Sequence, residues 1–282
     1  MNGLPTLPMP TWFVGCGNMG GAILKGWQAA TIDLAPVTVI RPSGGSIEGV
    51  RVVANLAQAG PPPKLVVLAF KPQQLDAIAP ELRQRLSAQT IVVSLLAGVE
   101  ARTLRERFPG AGKIVRVMPN LPVEVRRGVV AMYSEDADAA TQEKIGEIFA
   151  ALGFSLWTTD EERFAAIGAV AAAGPAYVAR FVGALAKAAE ARGVSPETSA
   201  IIALETVLGT TWMAATTNED MESIAKRVAS PKGTTQAGLD VLDHDHVLDE
   251  LVGVAIAAAA RRGAELAEEA RGAPLEEPVR LS

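Results

Sequence analysis

Five short runs rich in β-branched residues, with three segments of helical spacing among them, fill the first half of this chain, and beyond residue 159 the β pattern stops. The runs are Trp12–Gly15, Val37–Ile40, Leu65–Phe70, Thr90–Ser94 and Lys113–Val117. Helical spacing occupies Gly20–Ala30, Leu75–Leu86 and Ala101–Phe108 between them. Buried strands separated by crossover helices pair in parallel, so the alternation predicts an α/β sheet with helices on both faces. A further pair of strands, Val129–Met132 and Ser155–Thr158, brackets a helix from about Asp138 to Leu152.

The rest reads as helix: Glu161–Gly193, Pro196–Thr216, Asp220–Val228, Thr234–Leu242 and His246–Arg271. Ser195 and Pro196 suit the N-cap and first position of one of them. Two domains are expected, 1–159 α/β and 160–282 all-α, with a loose extreme C-terminus. Stretches such as Ile167–Ala173 and Val252–Ala260 are apolar nearly all round. A helix of that kind is covered on more than one side, and about 120 residues offer little interior. Either a dimer with interleaved helices supplies the cover, or a compact bundle sits under the sheet domain; the dimer is the expectation.

Composition narrows the classes. A net charge of −5 gives no general attraction for nucleic acid or anionic membrane. The one cysteine, Cys16, excludes an intrachain disulfide and fits a reducing, cytoplasmic setting. Met1 to Pro10 lacks the basic start of a signal peptide. The apolar window Phe164–Val178 is broken by Gly168 and Gly174-Pro175, so no membrane span is expected.

Gly15-Cys16-Gly17-Asn18-Met19-Gly20 follows the first strand and opens the first helix. In that place the first glycine makes the tight turn, the second admits a pyrophosphate and the third lets helix and strand pack closely. The α/β half therefore reads as a doubly wound Rossmann domain. An NAD enzyme offers an acid after the second strand for the ribose 2′-hydroxyl; here stand Arg41, Pro42 and Ser43, with no acid before Glu48. A guanidinium and a hydroxyl suit a 2′-phosphate, so NADPH is expected over NADH. Lys71, after the third run, reads either as a cofactor contact or as a surface cation. Asn120, within Met118-Pro119-Asn120-Leu121-Pro122, reads either as an amide for the nicotinamide or substrate, or as an Asx turn.

In the helical half, Ser230-Pro231-Lys232-Gly233-Thr234-Thr235 runs into a helix start. Free amides at Gly233, Thr234 and Thr235 would make a carboxylate site aided by the helix dipole; an ordinary N-cap is the alternative. Asp243-His244-Asp245-His246 has metal-like composition, but neighbours on one turn do not converge on one ion, and no metal site is expected. Glu135, Asp136 and Asp138 read as a solvated helix start.

The succession G-C-G-N-M-G, A-F-K-P, S-L-L-A-G-V, R-V-M-P-N-L-P, A-G-P-A-Y-V and S-P-K-G-T-T-Q-A-G-L resembles the pyrroline-5-carboxylate reductase family over nearly the whole chain. The resemblance implies a Rossmann domain followed by an all-α dimerisation domain, in dimers that often form decamers. It implies hydride transfer from NADPH to the C=N bond of Δ1-pyrroline-5-carboxylate, giving L-proline. The substrate carboxylate would be held by Ser230, Gly233, Thr234 and Thr235, with the Thr235 hydroxyl near the ring nitrogen as the catalytic contact. Asn55 on the adenosine side, and Ala69 and Lys71 along the cofactor, would join Gly15, Gly17, Asn18, Met19, Gly20, Arg41, Ser43 and Asn120. Two departures stand out. The family commonly reads S-G-S-G-P-A-Y where this chain has Ala171-Ala172-Ala173 before Gly174-Pro175-Ala176-Tyr177, and S-P-G-G-T-T where this chain has Lys232. Lys232 then either has ordinary φ or bears strain. The competing readings are a reductase of another imine, a β-hydroxyacid dehydrogenase and a non-catalytic NADP-binding protein. The second wants a lysine on the helix after the domain boundary, and Glu161–Tyr177 has none.

Overall fold

The structure is a computed structural model and describes residues 4–271. The C-terminal tail expected to be loose lies outside the described residues. Eight strands form one sheet: β1 (Thr11–Val14), β2 (Val37–Ile40), β3 (Arg51–Val53), β4 (Leu65–Leu68), β5 (Ile91–Ser94), β6 (Lys113–Pro119), β7 (Gly128–Tyr133) and β8 (Gly153–Trp157). Their order is β3-β2-β1-β4-β5-β6-β7-β8. All neighbours run parallel except β6 and β7, which pair antiparallel through Arg116↔Tyr133 to Pro119↔Val130. The first six strands therefore have the doubly wound order, whose direction of winding reverses between β1 and β4.

Strand alternation feeds a separate core on each face. Phe13, Val39, Val67, Val93 and Val115 point to the side carrying Ile23, Trp27 and Phe149. Trp12, Val14, Ile40, Val66, Leu68 and Val92 point to the side carrying Leu82, Leu104 and Phe108. A period of two places successive residues on opposite faces, which explains why the runs read as continuous rather than alternating apolar text. On the first face Trp27 meets Phe13 edge-on, with centroids 5.8 Å apart, and donates Nε1–H to the Ile148 carbonyl at 3.0 Å. The short edge strand β3 was not expected from sequence; Arg51-Val52-Val53 is too brief, and too exposed at Arg51, to carry a periodic pattern.

The helices of the α/β part are α1 (Asn18–Ala29), α2 (Leu75–Leu82), α3 (Ala101–Arg107) and α4 (Ala139–Ala150). The helical text that follows holds α5 (Glu161–Ala171), α6 (Gly174–Glu190), α7 (Pro196–Thr217), α8 (Met221–Val228), α9 (Thr234–Leu242) and α10 (Val247–Arg271). Side-chain oxygens cap several of them: Asp138 takes the Thr141 amide at 2.9 Å, Asp160 that of Arg163 at 2.8 Å, and Asp220 that of Ser223 at 2.8 Å. The Thr141 hydroxyl, the leading cause at Asp138, and these amide bonds hold the three carboxyls below their ordinary titration range. The single helix expected over 161–193 is two, parted at Ala172-Ala173 ahead of Gly174-Pro175, because proline suits a first turn and not a helix interior.

Two compact units result, 1–173 with 259–282, and 174–258. In the first, Glu161 binds α5 to the sheet: its carboxylate takes Arg116 Nη1 at 2.6 Å and the Ala101 amide at 2.8 Å. The guanidinium also lies 4.5 Å from the Phe164 ring centroid. An arginine at mid-strand is tolerated because its charge meets a carboxylate and its face an aromatic ring. The end of α10 returns to the same unit at Gly98, where a Cβ would stand 2.8 Å from the Leu266 carbonyl carbon, and φ is +76°. In the second unit Ser199, Ala203 and Ile224 are buried, while Ile201, Leu204, Leu208 and Trp212 along α7 are each at least half exposed. Glu161–Glu190 and Pro196–Thr217 are also, by length and composition alone, apolar enough to cross a membrane, a property the shorter window 164–178 did not disclose.

Gly98→Ala will destabilise the chain by roughly 1–3 kcal/mol, since helix backbone cannot yield to the new methyl and φ is positive. Urea unfolding measures this; an unchanged midpoint contradicts the close approach.

Candidate active site

At the winding reversal the chain leaves β1 through Gly15. Its amide donates to the Ile40 carbonyl at 2.8 Å, while the Ala69 amide donates to Val14 at 2.8 Å. A Cβ on Gly15 would lie 2.7 Å from the Ala69 oxygen, and its φ of +80° is left-handed. Both facts require glycine. Gly20 sits deeper in α1, where a Cβ would come within 3.3 Å of Ala69 Cβ, which is the helix–strand contact expected of it. Gly17 differs. Its φ is an ordinary −79°, and nothing lies within 4 Å of where its Cβ would be. No demand of the fold keeps a side chain away there. Gly17 is the N-cap of α1, no side chain caps that helix, and Asn18 and Met19 form its first turn. Unclaimed amides at a helix start are a place for phosphate.

Arg41 leaves β2 at the same edge. Its backbone pairs with Val53 at 2.9 Å, and its guanidinium folds over Gly45, where a Cβ would be 2.6 Å from Nη2. The buried Arg41 Nε has no hydrogen-bond partner among the described residues. Burial raises the Cys16 thiol above its ordinary range and the Arg41 charge partly opposes this, which places that charge at the glycine turn. An unsatisfied buried donor is expensive unless an acceptor arrives, and a phosphate supplies one. Ser43 is exposed in the turn beside it. The residues present thus fit a phosphorylated dinucleotide.

The remaining residues expected on this side fall as follows. Lys71 is exposed at the sheet edge, and its amide donates to the Gln74 side chain at 3.3 Å. Asn55 is exposed, and its side chain caps a short 3-10 turn through the Gln58 amide at 3.2 Å. Asn120 is buried; its Nδ2 donates to Ala171 at 3.1 Å and its Oδ1 accepts from Val129 at 2.8 Å. That amide braces the loop after β6 against the end of α5, through distant partners rather than an Asx turn. The Arg116–Glu161 pair escaped the sequence reading. A charged residue in the middle of a buried strand was the available signal.

In the other unit, Ser230, Pro231, Lys232 and Gly233 make a turn closed by the Gly233 amide on the Ser230 carbonyl at 2.9 Å. The Gly233 amide, expected to be free, is therefore spent on the turn. The amides of Thr234 and Thr235, the first two residues of α9, have no protein acceptor among the described residues. A Cβ at Gly233 would stand 2.3 Å from Ser230 Oγ, so Ser230 lies against the helix start and would have to turn aside for a side chain there. Ser230, Thr234 and Thr235 are exposed at this helix start.

The other clusters are structural. Asp136 accepts from the Ile114 amide at 3.1 Å and from Arg105, while its carbonyl takes Lys113 Nζ at 2.7 Å. His244 and His246 lie exposed on a 3-10 turn before α10.

A crevice of this kind, at the reversal point of a doubly wound sheet, defines the α/β half as the nucleotide-binding part of a dinucleotide-linked enzyme. Comparison with known proteins is more specific. The profile described as NADP oxidoreductase, coenzyme F420-dependent, matches residues 12–98, and that described as pyrroline-5-carboxylate reductase dimerisation matches 161–266. The chain is 33% identical over 264 residues to the pyrroline-5-carboxylate reductase of Pseudomonas aeruginosa, covering 91% of this chain and 96% of that protein. It is 30% identical over 276 residues to that of Arabidopsis thaliana, covering 94% and 98%. The solved structure of a pyrroline-5-carboxylate reductase from Coxiella burnetii superposes with a TM-score of 0.82 at 32% identity, over 92% of this chain and 99% of that one. The chain belongs to the pyrroline-5-carboxylate reductase family.

Gly17→Ser separates ligand from fold. Serine gives α1 the side-chain cap it lacks, so the melting temperature will hold or rise. NADPH affinity, read by fluorescence titration, will fall at least about tenfold, because the hydroxymethyl group takes phosphate space. Unchanged affinity removes Gly17 from the cofactor site.

Proposed function

We propose that this chain reduces Δ1-pyrroline-5-carboxylate to L-proline, with NADPH as the preferred hydride donor over NADH. Kinship with named pyrroline-5-carboxylate reductases over nearly the full length is the observation that carries this reading. The partnerless Arg41 Nε beside Ser43, with no acid at the end of β2, supports NADPH.

A bound NADPH supplies the hydride. The imine carbon accepts it most readily once the ring nitrogen carries a proton, and a protonated substrate brings that proton with it. The residues of this chain then have three tasks. Gly15, Gly17, Asn18, Met19 and Gly20 hold the pyrophosphate, with Arg41 and Ser43 at the 2′-phosphate and Asn55, Ala69, Lys71 and the Asn120-braced loop around the remainder. The Thr234 and Thr235 amides take the substrate carboxylate at the start of α9, where the helix dipole favours negative charge. Ser230, fixed against Gly233, adds its hydroxyl. The Thr235 Oγ1 accepts a hydrogen bond from the ring N–H and sets the plane of the C=N bond. Orientation of this sort accounts for much of the rate of hydride transfer, and no strong general acid is then required.

Self-association follows from the match of residues 161–266 to a dimerisation domain, and we infer a homodimer as the working unit, able to assemble further. The exposed apolar residues of α7 support this. So do its threonines, whose hydroxyls bond within the helix: Thr206 to Ile202 at 2.7 Å, Thr210 to Thr206 at 2.7 Å and Thr217 to Met213 at 2.9 Å. A helix with its hydroxyls satisfied internally can be covered at little cost. The same covering accounts for the apolar length of these helices without a bilayer, and the single cysteine suits a cytoplasmic protein.

The decisive assay follows NADPH oxidation with pyrroline-5-carboxylate beside other imines and keto acids. Turnover of another substrate alone sinks the assignment, and NADH preferred over NADPH sinks the cofactor choice. Thr235→Ala will lower kcat about 10- to 100-fold, the loss of an orienting contact of roughly 1.4–2.7 kcal/mol in the transition state; unchanged turnover removes Thr235 from the chemistry. Leu208→Glu will leave helical content intact and raise the dimer dissociation constant at least about tenfold, since burying a carboxylate in place of leucine forfeits roughly 1.5–3 kcal/mol. Sedimentation velocity checks it, and an unaltered dimer places the interface elsewhere.

A further inference from the structure

Lys232 occupies a backbone position made for glycine. With Pro231 before it and the Gly233 amide closing on Ser230, its φ of +61° makes the turn type II, whose third residue takes positive φ. A residue with a Cβ gives up about 1 kcal/mol there. Elsewhere in the chain a basic residue with positive φ recovers that cost through its side chain. Arg126, at φ +59°, donates Nε–H to Ala151 at 3.2 Å. Lys232 has no such recovery, because its exposed ammonium meets no acceptor or acid among the described residues. The strain is kept, and so is an uncommitted positive charge, two residues from the Thr234 amide.

We propose that Lys232 is a specificity-determining residue that adds a positive charge near the carboxylate end of the substrate site. It selects cyclic imines bearing a carboxylate against those of the same ring that lack one. The inference rests on the functional reading above. Its physics is that of an exposed charge: the attraction is modest, acts within one Debye length and weakens as salt screens it. The charge therefore changes the preference between substrates more than it changes the chemical step.

The test compares wild type, Lys232→Gln and Lys232→Gly as full-length enzymes, with pyrroline-5-carboxylate and with unsubstituted Δ1-pyrroline, at low and high ionic strength. Lys232→Gln retains the strained Cβ and loses the charge; Lys232→Gly loses both. The ratio of kcat/KM for the carboxylated over the unsubstituted imine will fall about two- to fivefold in both variants, the range of an exposed ion pair. That ratio will depend less steeply on salt than in wild type. The melting temperature will rise in Lys232→Gly and not in Lys232→Gln, which separates backbone from charge. An unchanged ratio and salt slope in Lys232→Gln overturns the inference while leaving the function standing. Turnover of neither imine by the wild type overturns the functional reading and this inference with it.

Discussion

The passage of the chain over Ala69 at the end of β1 is the constraint around which the α/β half is arranged. Gly15 has no room for a Cβ because the Ala69 carbonyl lies against it. That closeness exists because β1 and β4 are adjacent, parallel and in register from Thr11↔Leu65 to Val14↔Leu68. Adjacent strands at the point where winding reverses send their following helices to opposite faces, which opens a crevice at the strand ends. The start of α1, the turn after β2 and the loop after β4 all meet that crevice. One steric fact about a glycine thus reports the topology of the sheet.

The helical half obeys a different constraint. Its helices carry more apolar surface than one copy of the unit covers, as Leu204, Leu208 and Trp212 show by their exposure. Burying such surface is the main favourable term in folding and association, so a second copy belongs to the stability of this half. The threonines of α7 bond within their own helix, and covering them leaves no donor unsatisfied. Strain is confined to small, local places. Lys232 bears it in the turn before α9, and the positive φ of Asn218 merely ends α7 in the way short polar residues commonly do.

The elements themselves were legible because their signals are local. Strands β1, β2, β4, β5 and β6 are apolar on both faces, and their β-branched text stands out against the amphipathic helices between them. Asp138, Asp160, Ser195 and Asp220 announce helix starts through a bond to an amide three residues on. β3 escaped because three half-exposed residues carry no period, and the break between α5 and α6 was read as continuous because alanine is the best helix former. Asn120 read as a ligand contact or an Asx turn, and its bond to Ala171, 51 positions away, is one that no local pattern reveals.

By itself the sequence determined the α/β-then-α plan, the dinucleotide turn at Gly15, Gly17 and Gly20, and the family, all of which depend on patterns a few residues long. The tertiary structure decided which of those glycines packing requires, Gly15 and Gly20, and which meets no neighbour, Gly17. It also decided that Arg41 Nε lacks a partner, that the Gly233 amide is spent on its own turn, and that Lys232 takes the left-handed region. These are properties of distances between residues remote along the chain, or of backbone angles, and side-chain identity alone specifies neither.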